Sequence, residues 1–267
     1  MIDVIPVHTD IDKILSYEGG LVRGAMYEVY GPDGEGKSTL AILVAIAAQR
    51  IGLKVGWMDV EYSFNSDHAR FFGLNFPEEY QEEGELWNYF APLNGEEAMD
   101  KVDEWCKEGY GLIVVDSVGG LVPKAVDEAE HIGDSRQFAQ VASLLAQSLP
   151  KIRKSAHYGN TAIMFLNQIR AKFIKFGVGP PTESFGGYTL KHTVSARFEI
   201  RKVAWIKYST DTIGFKLRIR APKKNRFAPP NRDGYLDIIC SHDAPSLEDI
   251  NKRRKIKIET ISQKEDE

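Results

Sequence analysis

The eight residues Gly31-Pro32-Asp33-Gly34-Glu35-Gly36-Lys37-Ser38 constrain this chain more than any other stretch. Their spacing, glycine, four residues, then Gly-Lys-Ser, is that of a phosphate-binding loop. A loop that wraps a triphosphate must bring backbone N–H groups close to oxygen. Side chains obstruct that approach, so glycine is favoured. The helix that follows turns its unpaired N–H groups and the positive end of its dipole toward the anion. On this spacing Lys37 reaches the β- and γ-phosphates, Ser38 holds Mg²⁺, and Thr39 closes the nucleotide-binding segment. The flanks agree with that reading. Met26 to Tyr30 reads as a strand, and Thr39 to Arg50, rich in Ala, Ile, Leu and Val with no breaker, reads as a buried helix.

Lys54 to Glu61 reads as a second strand, so helix, Gly52 turn and strand form a βαβ unit and the sheet should be parallel. Ligands in such sheets sit at the carboxyl ends of strands, which puts Asp59 and Glu61 near the phosphates. Leu112 to Val115 is a continuous apolar run, as a strand covered on both faces should be, and it ends in Asp116. A carboxylate there can orient Mg²⁺ through its water. Thr161 to Leu166 is another buried strand, leading into Asn167-Gln168-Ile169-Arg170. Residues 67–72 and 95–107 read as helices. A longer helix follows Gly133, with Phe138, Val141, Leu144, Leu145 and Leu149 on one side and Asp134 or Ser135 as its N-cap; Pro150 should bend or restart it. Residues 194–206, 213–221 and 234–240 alternate as strands do, giving an antiparallel extension. Pro77 to Glu85 reads as an acidic surface loop, and the tail from Ser246 as a short helix or frayed end.

The whole is an α/β chain of 267 residues with no apolar run near the ~20 that a membrane span needs. Its start lacks the basic region of a secretory signal. Cys106 and Cys240 lack metal spacing and read as reduced residues of a cytoplasmic protein. The net charge of −4 conceals a segregation. Residues 59–130 carry 18 acidic and 4 basic side chains, whereas residues 168–232 carry 15 basic and 3 acidic. A basic third in an acidic protein points to a surface for a polyanion. Within it, Ala171 to Gly187 interleaves Lys172, Phe173, Lys175, Phe176 and Phe185 with glycine and proline. That composition suits single-stranded nucleic acid, because cations meet phosphates and rings meet bases; a plain mobile loop has the same composition.

The order of these motifs resembles the RecA family of recombinases, over about Val4 to Cys240. The marks are Tyr30-Gly31-Pro32 with the loop, Asp59-Val60-Glu61, Val114 to Val118, Leu121 to Ala125 followed by Ile132 to Ser135, Asn167 to Lys172, Gly186-Gly187, Leu190-Lys191, Ser195-Ala196-Arg197 through Lys202, and Lys224-Asn225-Arg226. The resemblance implies a RecA-like ATPase core over 1–244 with a short tail over 245–267. It implies a mostly parallel sheet flanked by helices, ATP and Mg²⁺ as cofactors, and two DNA-binding loops at about 123–135 and 169–187. Glu61 then matches the acid that activates the attacking water, and Gln168 the γ-phosphate sensor. Arg170, Lys172, Lys175, Phe176, Gly186, Gly187 and Arg136 become the DNA-contact candidates. Lys224 and Arg226 match a basic pair that reaches the neighbouring subunit's ATP. The implied partners are single-stranded DNA, double-stranded DNA as the pairing partner, and further copies of the chain in a helical filament rather than a ring.

Three departures accompany the resemblance. His68 stands where the family stacks a tyrosine on adenine, with Asn65 at a neighbouring acidic position. Arg226 stands where the family has lysine, keeping the charge and adding a forked donor set. The family's N-terminal polymerisation arm and C-terminal duplex-gathering domain find no counterpart in these residues, so a minimal recombinase core is expected. A RecA-fold mediator or helicase-like motor, and a nucleotide-gated binding protein with little turnover, remain the alternatives to a recombinase.

Overall fold

The computed structural model describes residues 3–127, 137–171, 182–184, 186–208, 210–241 and 256–260. In chain order the strands are β1 (Val4–Ile5), β2 (Leu21–Val22), β3 (Met26–Gly31), β4 (Val55–Asp59), β5 (Trp87–Phe90), β6 (Leu112–Asp116), β7 (Ala162–Ala171), β8 (Thr182–Ser184), β9 (Ala196–Tyr208), β10 (Asp211–Arg220), β11 (Asp233–Ile239) and β12 (Ile256–Thr260). The helices are α1 (Thr9–Leu15), α2 (Lys37–Arg50), α3 (Ser66–Phe72), α4 (Gly95–Lys107), α5 (Lys124–Asp127), α6 (Gln137–Tyr158) and α7 (Gly187–Thr193).

One sheet organises them, in the order β11-β10-β9-β3-β7-β6-β4-β5. Neighbours from β9 to β5 are parallel, and β9, β10 and β11 are antiparallel, so the expected parallel sheet with an antiparallel extension is what forms. The apolar runs explain the middle of it. All five residues of β6 are buried, as are all five of β4, because helices cover both faces. α2 contributes Leu40, Ala41, Val44, Ala45 and Ala48 to the core on one face, with Tyr27, Val29 and Leu166. α4 and α6 contribute Val102, Trp105, Leu145 and Leu149 on the other, with Met26, Ile113 and Phe165. Among the described residues, no helix is long and apolar enough to cross a membrane.

Several sequence expectations change. α6 runs unbroken through Pro150. The proline and Ala146, whose carbonyl it leaves without a helical donor, both lie on the exposed side, where water can satisfy that carbonyl. The Asp134 and Ser135 caps lie outside the described residues. Pro77 to Glu85 is the surface loop expected, tethered by rings: the Phe64 centroid lies 5.1 Å from that of Tyr80 within it, and 5.9 and 5.5 Å from those of Phe76 and Trp87 on its flanks. The segment after Ala171 has more order at its ends than its composition suggests. Ile169, Arg170 and Ala171 pair antiparallel with Ser184, Glu183 and Thr182, so a two-stranded stem leads out of the sheet. The tail is neither helical nor frayed at 256–260, where it pairs with β9.

Candidate nucleotide site

The carboxyl ends of four strands meet along one edge of the sheet. The register pairs Gly31 with Gln168 and Asp59 with Asp116, and Val115 with Phe165, so the P-loop and the amide stand beside the ends of the two acid-bearing strands. Gly34 and Gly36 have φ of 70° and 91°, the left-handed region that lets the loop close onto α2. Gly36 is the N-cap of α2 and has no capping side chain, which leaves the first N–H groups of the helix for an anion. Lys37 is buried, and its Nζ donates to Pro32 O at 2.7 Å and Gly31 O at 3.4 Å. Burial lowers its pKa, partly offset by Asp33, Asp116, Glu61 and Glu35. Asp33 is exposed at the loop's outer rim, and the Glu35 carboxylate accepts from the Lys202 backbone N–H, tying the loop to β9.

Ser38 Oγ donates to Asp116 Oδ2 at 2.9 Å. Burial, with Glu61 and Asp59 behind it, pushes the Asp116 carboxyl up to about 6 against the pull of Ser38 and Lys37. A hydroxyl beside a carboxylate is a donor set for a hard, hydrated cation. Among the described residues no cluster of three or more His, Cys, Asp or Glu could hold a metal alone, so a cation here would share its coordination with phosphate oxygens and water. The residues present therefore fit a magnesium nucleotide. A carboxyl raised in the folded state carries stability that is complete below its unfolded pKa and lost as pH rises through about 6. Without divalent cations, Asp116→Asn, which keeps an acceptor for Ser38, should stabilise the chain by roughly 2–3 kcal/mol at about pH 7.5, the gain vanishing toward about pH 4. Thermal denaturation across that range measures it.

Glu61 is exposed just beyond β4. The backbone holds it there: Val60 N and Glu61 N donate to Asp116 O at 2.7 and 3.3 Å. Its Oε1 accepts from Ser117 Oγ, and from Gln168 Nε2 at 3.4 Å. Asp59 does not face the phosphate edge as expected. It is 1% exposed, and its oxygens accept from Ser63 N (3.0 Å), Phe64 N (2.9 Å) and Tyr89 OH (2.9 Å), so it shapes the turn that carries Glu61. Sequence reasoning missed Ser117; its place directly after Asp116 was the available signal.

Between α2 and α3, Thr39 Oγ1 and His68 Nε2 lie 3.1 Å apart. Asn65 accepts from His68 N at 2.9 Å as the N-cap of α3, so its role is to seat that helix and the His68 ring. Burial and Lys202 hold the His68 pKa below its usual value, favouring a neutral ring.

The remaining candidates lie apart from this edge. Lys224 Nζ donates to the carbonyls of Lys191 (2.8 Å) and His192 (2.7 Å), at the C-terminal end of α7. Burial, Arg226 and Arg197 lower its pKa. Among the described residues, no hydrogen bond or ion pair joins Lys224 or Arg226 to Lys37, Ser38 or Glu61. Gly186, with φ of 78°, starts α7, and a Cβ there would meet Leu145 at 2.8 Å. Packing therefore already accounts for that glycine. Gly187 also has positive φ, 55°, and open space around it. Arg170 lies in β7, two residues after Gln168, with its backbone in the stem. Arg136, Lys172, Lys175 and Phe176 fall outside the described residues.

A glycine loop closing on a helix, with acids at the ends of adjacent parallel strands, defines an α/β protein of the P-loop class. Residues 2–244 match the family model described as the RecA N-terminal domain. The chain belongs to the RecA family. It is 36% identical over 239 residues to Protein RecA of Streptomyces avermitilis, covering 89% of this chain and 60% of that protein. Protein RecA of Campylobacter jejuni is 35% identical over 222 residues, 83% of this chain and 62% of the relative. The chain thus spans about three-fifths of the length of these curated relatives.

Proposed function

We propose that this chain is a DNA-dependent ATPase that assembles on single-stranded DNA and promotes homologous pairing and strand exchange. One observation carries the reading most: β7 is a single strand holding both Gln168, 3.4 Å from the Glu61 carboxylate, and the Ile169–Ala171 start of the loop stem. A change at the phosphate edge can therefore reach the basic loop along one strand. In this reading the P-loop N–H groups and Lys37 bind the phosphates of ATP, while Ser38 and Asp116 hold Mg²⁺. Magnesium, when bound, supplies charge neutralisation at the phosphate oxygens. Glu61 orients a water and accepts its proton. Gln168 donates to the γ-phosphate and reports its loss without adding charge. Lys224, released from the end of α7, and Arg226 reach the next subunit's ATP, which makes turnover depend on stacking of copies. Family membership supports each role, since these positions match the family's motif order.

The test is ATPase activity with and without single-stranded DNA. DNA should stimulate turnover, and the Arg170→Ala variant should need more DNA for the same stimulation. With about three phosphates neutralised per subunit, affinity should fall roughly 20-fold from about 50 to about 200 mM salt. Turnover indifferent to DNA would instead favour a mediator or helicase-like motor.

A further inference from the structure

Glu28 is a carboxylate in the middle of the central strand, with no exposure to solvent. It lies three residues before Gly31, on the face of β3 opposite Tyr27 and Val29. Burying a charge in a sheet is costly by several kcal/mol unless it is paired and hydrogen-bonded. Both oxygens are used, and they reach in opposite directions. Oε1 accepts from Asn167 Nδ2 on β7 at 2.9 Å, and Oε2 accepts from Arg197 Nε on β9. The Arg197 guanidinium also lies over the Tyr30 ring, 4.5 Å from its centroid.

Each arm ends beside a group the proposed mechanism uses. Asn167 immediately precedes Gln168. Arg197 N donates to Lys224 O at 2.9 Å, and Arg226 N donates to Ser195 O at 3.2 Å. An isolated bridge joins Ala196 to Asn225, so the turn bearing the two cations is fastened to the first residues of β9. β3 is thus the shared neighbour of the sensor strand and of the strand holding the cationic turn, and Glu28 clamps one to the other across it.

We infer that Glu28 is a positioning residue, which through Asn167 and Arg197 holds the phosphate-sensing Gln168 and the Lys224–Arg226 turn in one fixed relation. The inference rests on the proposed ATPase reading and adds a physical link between a subunit's own sensor and the cations it offers to its neighbour. Glu28 touches neither nucleotide nor water; it acts through the two side chains it bonds.

The experiment compares the 267-residue chain with Glu28→Gln, with the double variant Glu28→Gln/Arg197→Met, and with Lys224→Ala. Glu28→Gln keeps shape but removes the buried negative charge that Arg197 Nε meets, so its melting temperature should drop. The double variant removes both charges, and its melting temperature should return toward the parent's. Under the inference, DNA-stimulated kcat stays about 10- to 100-fold low in both variants, as misplacement of a reacting geometry does, with KM for ATP within about threefold. Recovery of stimulated kcat together with melting temperature in the double variant would make the pair purely structural and overturn the inference. So would a fall in kcat matched by an equal rise in KM. Lys224→Ala separates the two levels. If it abolishes DNA stimulation while the Glu28 variants retain theirs, only the inference fails. If the parent shows no stimulation, or Lys224→Ala keeps it, the ATPase reading beneath it fails as well.

Discussion

Glu61→Gln should lower the turnover number for ATP by about 10²- to 10⁴-fold while nucleotide affinity stays within about threefold. The geometry makes this substitution unusually clean. Glutamine has the same length, and its amide oxygen can still accept from Ser117 and Gln168, which bond Oε1 in the parent. What it loses is basicity, the property needed to take a proton from water. The P-loop contacts are untouched, because Lys37 and Ser38 bond Pro32 and Asp116 rather than Glu61. Single-turnover hydrolysis and titration with a fluorescent ATP analogue read the two effects separately. Normal turnover would remove Glu61 from the mechanism, and lost binding would show that it acts on the ground state.

Replacing both Lys224 and Arg226 by alanine should reduce DNA-stimulated turnover by roughly 10³-fold, the scale on which a cation offered from a neighbouring subunit acts. The decisive measurement is a mixture. Glu61→Gln subunits keep the cations, and the double-alanine subunits keep the acid, so each is inactive alone. In a randomly mixed head-to-tail assembly, a site needs an intact acid (half of the subunits) and an intact neighbour (half again). About a quarter of parental activity should therefore return. Cations acting within their own subunit would give none. Because Lys224 bonds the last carbonyls of α7, the double variant needs its melting temperature recorded alongside.

What the sequence revealed follows from which signals are local. The P-loop spacing, the apolar β6 ending in Asp116, and Glu61 two residues past a strand end are each contained in a few adjacent residues. The sheet rule then brings them together, since strand ends must meet at one edge. Signals that depend on a distant partner were not legible. β5 is four residues long and gains its identity from pairing with β4. α7 is short, with no apolar period of its own, and depends on Gly186 and on Lys224 at its far end. The β7–β8 stem pairs Ile169 with Ser184 and Ala171 with Thr182, residues far apart in the chain that carry no hairpin signal. Asp59 and Glu61 look alike as a pair of acids. Only the turn that folds back over Asp59, and Tyr89 from β5, separates the architect of the loop from the group on its surface.

The edge where the strands of Gly31, Asp59, Asp116 and Gln168 end also sets where this chain can change length. Side chains alternate along a strand, so one residue inserted within β4 would turn Asp59 to the opposite face and shift Glu61 by about 3.3 Å. The same residue inserted in the 77–86 loop would leave the edge where it is. The strands behave as a ruler and the loops as slack. A lineage of such chains can lengthen, shorten or trade its connections freely while the distance from phosphate to acid stays constant.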